Sequence, residues 1–396
     1  MSVRQRSALI VLLLASTLSV MAGATVMPVL DLIRSDLGID GTLAGFVITT
    51  HGVVIAVAGP VVGRLIDRYG VRRPLVAGLI VYGVGGGAGM AATDYPTLLA
   101  SRVALGLGAA VVFTGTTVAL LSLYRGSERD RVMGWRSTAT TIGGLVWPLA
   151  AGALGGVSWH GAFAVYVVGV PLGIAALRCL PAGADGAAAP ADGTAGGGVL
   201  RLLRRYPALL GWYALMLMMG LAMYSTAVFL PTRLAGIGVH SPLLVSLFMV
   251  ASSLTAAVLG LLYARIRGRA RHGVLLRVAF ACWVAGFALL AVVDVYPLVL
   301  VAGAVFGIGN GLLLPTLTVL IGDTPAADDR GKATSLSGTA MFVGQFASPL
   351  VFGPLIEATS VTTGFAVAAV LSGVTLAVLV SVRVPEPHDD RIKAAA

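Results

Sequence analysis

The sequence predicts an all-α membrane protein with twelve transmembrane helices arranged as two pseudo-symmetric six-helix bundles. Three observations lead there. Of 396 residues, 57% are hydrophobic and 11% charged, whereas soluble domains carry roughly a quarter charged residues. Apolar stretches of the length that crosses a ~30 Å hydrocarbon core, about 20 residues, recur along the whole chain. The second half also repeats landmarks of the first at one constant offset, 201 residues.

Turn and charge signals divide the apolar runs into spans at 7–30, 43–63, 74–92, 96–122, 136–157, 160–180, 207–230, 241–263, 274–293, 296–321, 333–356 and 360–382. No small-residue cleavage site follows the first run, so it is expected to stay as a helix and not act as a signal peptide. An even number of spans puts both termini on one side. With that side cytoplasmic, the outer loops hold only Arg34 and Arg233, and Arg102 lies within the fourth span. The rest of the 27 basic residues fall on the inner side, including Arg64, Arg68, Arg72 and Arg73, then Arg125, Arg129, Arg131 and Arg136, then Arg265, Arg267, Arg269 and Arg271. This is the positive-inside pattern. It places the chain in a cell (inner) membrane with cytoplasmic termini. It also accounts for the net charge of +10 without a nucleic-acid partner; the partner here is the lipid bilayer.

Residues 181–206 form the longest internal connection. PAGADGAAAPADGTAGGG is low-complexity and predicts a flexible linker. The VLRLLRRYP after it is either a short basic amphipathic segment on the inner membrane surface or a solvated linker end. The expected organisation is therefore a first bundle at 1–180, the linker, a second bundle at 207–382 and a cytoplasmic tail at 383–396. The repeat supports the division: the GRLIDR from Gly63 falls on the ARIRGR from Ala264, Gly106–Gly108 on Gly307–Gly309, and Pro148–Gly152 on Pro349–Gly353. Asp130-Arg131 has its counterpart at Asp329-Arg330, two residues out of step. Two duplicated halves imply an axis along the membrane normal and a substrate site near the midplane.

Chemistry is concentrated at a few positions. Gly63-Arg64-Leu65-Ile66-Asp67-Arg68-Tyr69-Gly70-Val71-Arg72-Arg73 joins spans two and three. Its glycines permit a tight turn, and Asp67 among four arginines either pairs with one, caps a neighbouring helix or balances the loop charge. The segment resembles the signature loop of the major facilitator superfamily, Gly-x-x-x-Asp-Arg-x-Gly-x-basic-basic, at every defined position. The resemblance implies that Gly63, Asp67, Arg68, Gly70, Arg72 and Arg73 form a conformational latch. Arg102-Val103-Ala104-Leu105-Gly106 is similar to that family's Arg-x-x-Gln-Gly, with Leu105 in the glutamine's place. An arginine in a span costs about 2.5–3.5 kcal/mol on insertion scales and is functional by default. Arg102 is about 9 Å below the outer surface at helical rise, and it either faces a cavity or partner or reaches outward to water.

In span five, Gly143-Gly144-Leu145-Val146-Trp147-Pro148-Leu149-Ala150-Ala151-Gly152 resembles the motif of the superfamily's exporters, Gly-x-x-x-Gly-Pro-x-x-Gly-Gly. Trp147 and Ala151 depart from it. Small residues bring helices together and the proline bends the span; Trp147 is expected to block close approach at its level and face substrate. His51, about 12 Å below the outer face, is either a proton carrier or a structural histidine. The twelve-span drug:proton antiporters that the chain most resembles often carry an acid in span one, four residues before its proline. That position is Ala24, before Pro28, and the nearest acid is Asp31. Arg102, His51 and Asp31 are thus the candidate coupling residues. Tyr213, Tyr224, Asn310 and Gln345 offer neutral hydrogen-bonding groups for a substrate cavity, and Met216, Met218, Met219 and Met223 an adaptable apolar surface.

The resemblance implies a secondary transporter, exchanging a small amphipathic or hydrophobic compound for protons and functional as a monomer. Import of a small, anionic metabolite drawn by Arg102 is the alternative. There is no Gly-x-x-x-x-Gly-Lys-Ser/Thr for ATP, and no cofactor is expected. Five scattered histidines and two distant cysteines, Cys179 and Cys282, make no metal site, disulfide framework or catalytic constellation.

Overall fold

A computed structural model describes residues 3–181, 197–326, 329–382 and 384. The described residues form helices joined by short turns, with no strand. The first half comprises α1 (Val3–Ala24), α2 (Leu30–Leu37), α3 (Gly41–Tyr69), α4 (Arg72–Gly87), α5 (Tyr95–Leu123), α6 (Gly126–Gly155) and α7 (Gly169–Cys179), the last preceded by a 3-10 segment, Trp159–Val168. After a short α8 (Gly197–Arg205) come α9 (Ala208–Ala235), α10 (Pro242–Arg267), α11 (His272–Val292), α12 (Tyr296–Asp323), α13 (Arg330–Ala358) and α14 (Val361–Ser381). The part of the expected linker from 182 to 196 lies outside the described residues, as does the expected tail apart from Val384. So does the Asp130 side chain used to align the repeat.

Among the described residues, eleven helices are long and apolar enough to cross a membrane, α1 and α2 counting as one, as do the Trp159–Val168 segment and α7. The remaining expected span is α6, whose 30 residues reach about 45 Å at helical rise. Glu128, Arg129, Arg131 and Arg136, followed by Ser137, Thr138, Thr140 and Thr141, make its first half polar. The first span differs from the expected 7–30 because Pro28 has no N–H to donate and its ring disfavours a continuing helix. The chain therefore steps through a 3-10 turn at Met27–Val29 and resumes as α2. Gly38, in the left-handed region with φ 60°, closes α2. Asp40 accepts from the Leu43 N–H at 2.6 Å and starts α3; Asp94 accepts from the Thr97 N–H at 2.8 Å and starts α5. That backbone bond favours the Asp94 carboxylate and lowers its pKa from the ordinary value.

The chain forms two compact units, Met1–Gly193 with His240–Ser246, and Thr194–Val239 with Leu247–Ala396. In the first, α1 packs on α5, α6 and α7, and α4 lies against α5 and α7. In the second, α9 packs on α13, and α11 on α12 and α14. Lipid is as apolar as leucine, so helices associate through close packing, not through a hydrophobic effect. Glycines supply it. Gly106 of α5 lies on His51 and Val54 of α3, and Gly108 on Gly78 and Tyr82 of α4. Gly307 of α12 lies on Ser252 and Thr255 of α10, and Gly309 on Ala279 and Trp283 of α11. Each residue of the second set stands 201 positions after its counterpart in the first. The repeat thus preserves the contacts as well as the letters.

A methyl group on Gly108 would come within 2.6 Å of the Tyr82 Cα, and one on Gly307 within 2.8 Å of the Ser252 carbonyl carbon, both backbone atoms. Gly211 of α9 has nothing within 4 Å of that position. Overpacking costs about 1–3 kcal/mol. Gly108→Ala and Gly307→Ala should therefore each lower the unfolding midpoint of the purified protein by several degrees, with Gly211→Ala unchanged or slightly higher. Equal midpoints for all three would contradict this packing.

Candidate functional site

The Arg102 side chain lies two turns into α5 and is 0% exposed. Its surroundings are built by the glycine-rich end of α4. Gly86 of α4 gives room to Tyr166, and Gly89 of the 3-10 turn after it, Ala88–Ala91, to Phe163, so both rings of the Trp159–Val168 segment come down onto this stretch of backbone. The guanidinium carbon sits 4.6 Å from the Phe163 ring centroid and 5.0 Å from that of Tyr166. Nη2 donates to the Gly86 carbonyl at 3.0 Å and Nε to Ser101 Oγ at 3.2 Å. The rings are themselves tied to α1: Tyr166 donates to the Ala22 carbonyl and Tyr82 to the Leu18 carbonyl, each at 2.9 Å, with Tyr82 edge-on to Tyr166 at 5.8 Å. Of the readings open for Arg102, a protein partner is the one observed. The side chain does not reach outward to water.

The energies are commensurate. Burial costs about 2.5–3.5 kcal/mol on insertion scales. Each desolvated cation–ring contact contributes about 0.5–2 kcal/mol, and a hydrogen bond from a charged donor about 1.5–3.

His51, 4% exposed, is on α3 where Gly106 brings α5 close, and its Nδ1 has no hydrogen-bond partner among the described residues. Asp31 is on α2, half-buried, and pairs with Arg34 at 3.4 Å.

Much of the expected loop between spans two and three is helical. Gly63 to Arg68 complete α3, Arg72 and Arg73 open α4, and the turn is confined to Gly70, with φ 73°, and Val71. Helices projecting beyond the hydrocarbon can carry charge, which is why the arginines read as loop in the sequence. Asp67 is exposed and forms no ion pair among the described residues, and the start of α4 has no side-chain cap. Arg68 covers the Tyr69 ring at 5.3 Å. Arg72 donates to the Leu177 carbonyl at 2.5 Å, a cation on the C-terminal end of α7. Arg277 does the same in the second unit, donating to the Leu379 carbonyl of α14 at 2.8 Å.

In α6, Gly143, Gly144, Pro148 and Gly152 are buried. Gly143 abuts the Thr17 backbone of α1. Trp147 does not keep the helices apart as expected: one turn after Gly143, its indole N–H donates to Thr17 Oγ1 at 3.1 Å. The glycine supplies the approach and the indole secures it.

Of the proposed cavity residues, Tyr213 and Tyr224 stand on α9, Asn310 on α12 and Gln345 on α13. Tyr213 donates to the Ala333 carbonyl in the first turn of α13 at 2.9 Å, and Trp212 beside it to Thr324 Oγ1 at 3.2 Å; together they clamp one end of the second unit. Half-buried Tyr224 is 11 residues further along α9, about 16 Å at helical rise. Asn310 Oδ1 and Gln345 Oε1 are buried and have no hydrogen-bond partner among the described residues. Arg233, expected in an outer loop, belongs to the last turn of α9 and is 4% exposed. It donates to the Leu290 and Val293 carbonyls at 2.9 and 2.8 Å and pairs with Asp294 at 2.6 Å, holding the end of α11. The sequence reading also missed Tyr82, Phe163 and Tyr166. The available signal was a glycine run, Gly83 to Gly89, with aromatics three residues apart on a later span.

The sequence matches the model of the Major Facilitator Superfamily over residues 12–324 and 239–396. It is 25% identical over 169 residues to the multidrug efflux pump SdrM of Staphylococcus aureus, covering 42% of this chain and 37% of that protein. It is 31% identical over 169 residues to the class C tetracycline resistance protein of Escherichia coli, covering 40% and 41%. The matched region thus spans less than half the length of these relatives. Among solved structures, a bacterial homologue of the human lysosomal transporter Spinster aligns with a TM-score of 0.75 at 14% identity over 96% of this chain and 95% of the other. The nucleoside transporter NupG aligns with a TM-score of 0.74 at 15% identity over 96% and 99%. At such identities the structures speak to the fold alone. The motifs, the duplicated helical contacts and the family match agree: this chain belongs to the Major Facilitator Superfamily.

Proposed function

We propose that this chain exports small amphipathic or apolar compounds in exchange for protons, by alternating access of its two halves, with both termini cytoplasmic. The observation that carries this reading is the enclosure of Arg102. Its guanidinium is engaged by two ring faces and a carbonyl, and its Nη1, which has no hydrogen-bond partner among the described residues, is buried in the same 0%-exposed enclosure, away from an arriving anionic metabolite. The second unit holds buried neutral groups with open hydrogen-bonding capacity, among them Asn310 and Gln345, and the methionines of α9 supply polarisable surface. Similarity to a multidrug efflux pump and a tetracycline resistance protein supports the same direction.

In this reading His51 is the proton carrier. In proteoliposomes, an imposed pH gradient should drive accumulation of a lipophilic fluorescent cation or of tetracycline, and His51→Gln should abolish accumulation while leaving the protein folded. Gradient-independent equilibration, or proton-driven accumulation unchanged in His51→Gln, would overturn the proton-exchange reading.

Asp67, exposed at the α3–α4 turn, is in position to exchange partners without touching substrate, and we assign it the latch role. Asp67→Asn should lower turnover several-fold with KM unchanged. A raised KM at unchanged turnover would assign Asp67 to substrate binding instead.

A further inference from the structure

We propose that α8 is a surface-lying helix that binds anionic lipid headgroups. Val199, Leu202, Leu203 and Tyr206 fall at i, i+3, i+4 and i+7, the spacing of one helical face; Arg201, Arg204 and Arg205 occupy the opposite one. Leu202 is docked at 4% exposure, but Leu200 beside this face is 56% exposed and Val199 36%. All three arginines are exposed. Arg205 has an acidic neighbour, Asp329 at 3.7 Å, which also serves Lys332 at 3.8 Å. Arg201 and Arg204 have no ion pair among the described residues.

The position of the helix selects the ligand. Only Tyr206 and Pro207 separate α8 from the membrane helix α9, so the arginines are held at the level where that helix enters the bilayer. The junction is fixed by bonds within the second unit. The Ala326 N–H donates to the Tyr206 hydroxyl at 3.3 Å, next to the Trp212–Thr324 and Tyr213–Ala333 bonds of the same corner. A helix with exposed leucine and valine beside three cationic heads, anchored at a membrane surface, complements acyl chains and phosphate headgroups together. A protein partner would need a matching acidic and apolar groove; the bilayer already adjoins the helix. Because Arg205 shares Asp329 with the start of α13, headgroup binding would draw Arg205 away from that turn and couple lipid charge to the α9–α13 pair.

The test uses the full chain with Cys179→Ser and Cys282→Ser, a nitroxide on Leu200→Cys, and nanodiscs of phosphatidylcholine with or without phosphatidylglycerol. With phosphatidylglycerol, collisions with oxygen should rise and collisions with a water-soluble nickel chelate should fall several-fold. The combined Arg201→Gln, Arg204→Gln and Arg205→Gln substitutions should remove this response while leaving the unfolding midpoint in place. Accessibility independent of lipid charge, or a response that persists in the triple variant, would overturn the proposal.

Discussion

Enclosing one guanidinium where no water reaches it is the constraint on which the first unit turns. Arg102 is held by groups from α4, α5 and the segment ahead of α7, with Nη1 left without a hydrogen-bond partner among the described residues, and Tyr166, together with the neighbouring Tyr82, is bonded in turn to carbonyls of α1. Four elements meet at one cation. The contact also explains the glycines at the end of α4 and in the turn after it: glycine costs about 0.8–1 kcal/mol per helical position relative to alanine, yet any larger residue at Gly86 of α4, or at Gly89 beyond it, would displace Tyr166 or Phe163. Local propensity yields to the geometry of the slot.

The second unit solves the same packing problem without charge. The position corresponding to Arg102 is Gly303, and the Phe248 ring lies against it. Trp283, the counterpart of Tyr82, stacks on Phe306 with centroids 5.3 Å apart, beside Phe280 and Phe287. Duplication has kept the glycine contacts at Gly106, Gly108, Gly307 and Gly309 and changed what fills the space next to them. One half carries a polar strut at this level and the other an apolar stack.

Most span positions and the repeat were legible in the sequence because each depends on composition or spacing along one chain. The family resemblance was legible because its motifs are contiguous. What could not be read was any partner contributed by a distant span. Nothing near Arg102 in the sequence announces Phe163 and Tyr166, nothing near Trp147 announces Thr17, and Arg233 looks like a loop residue until α11 places the Leu290 and Val293 carbonyls against it. Residue type marks Tyr213 as a hydrogen-bonding group, but its partner, the Ala333 carbonyl of α13, is 120 residues away. Helix ends were also misplaced where charge was taken for loop, as at Arg64 and Arg68, since a helix longer than the hydrocarbon thickness can carry arginines in its final turn.

The central claim, that Arg102 is an internal cation held between aromatic faces, can be measured directly. In protein labelled with 15N-arginine and reconstituted in nanodiscs, the Arg102 Nε–H resonance can be assigned by its loss in Arg102→Lys. The account predicts a ring-current-shifted signal, slow to exchange with water, that moves toward the solvent-exposed arginine position in Phe163→Leu. A resonance already at the solvent-exposed position, exchanging rapidly with water and indifferent to Phe163→Leu, would contradict it.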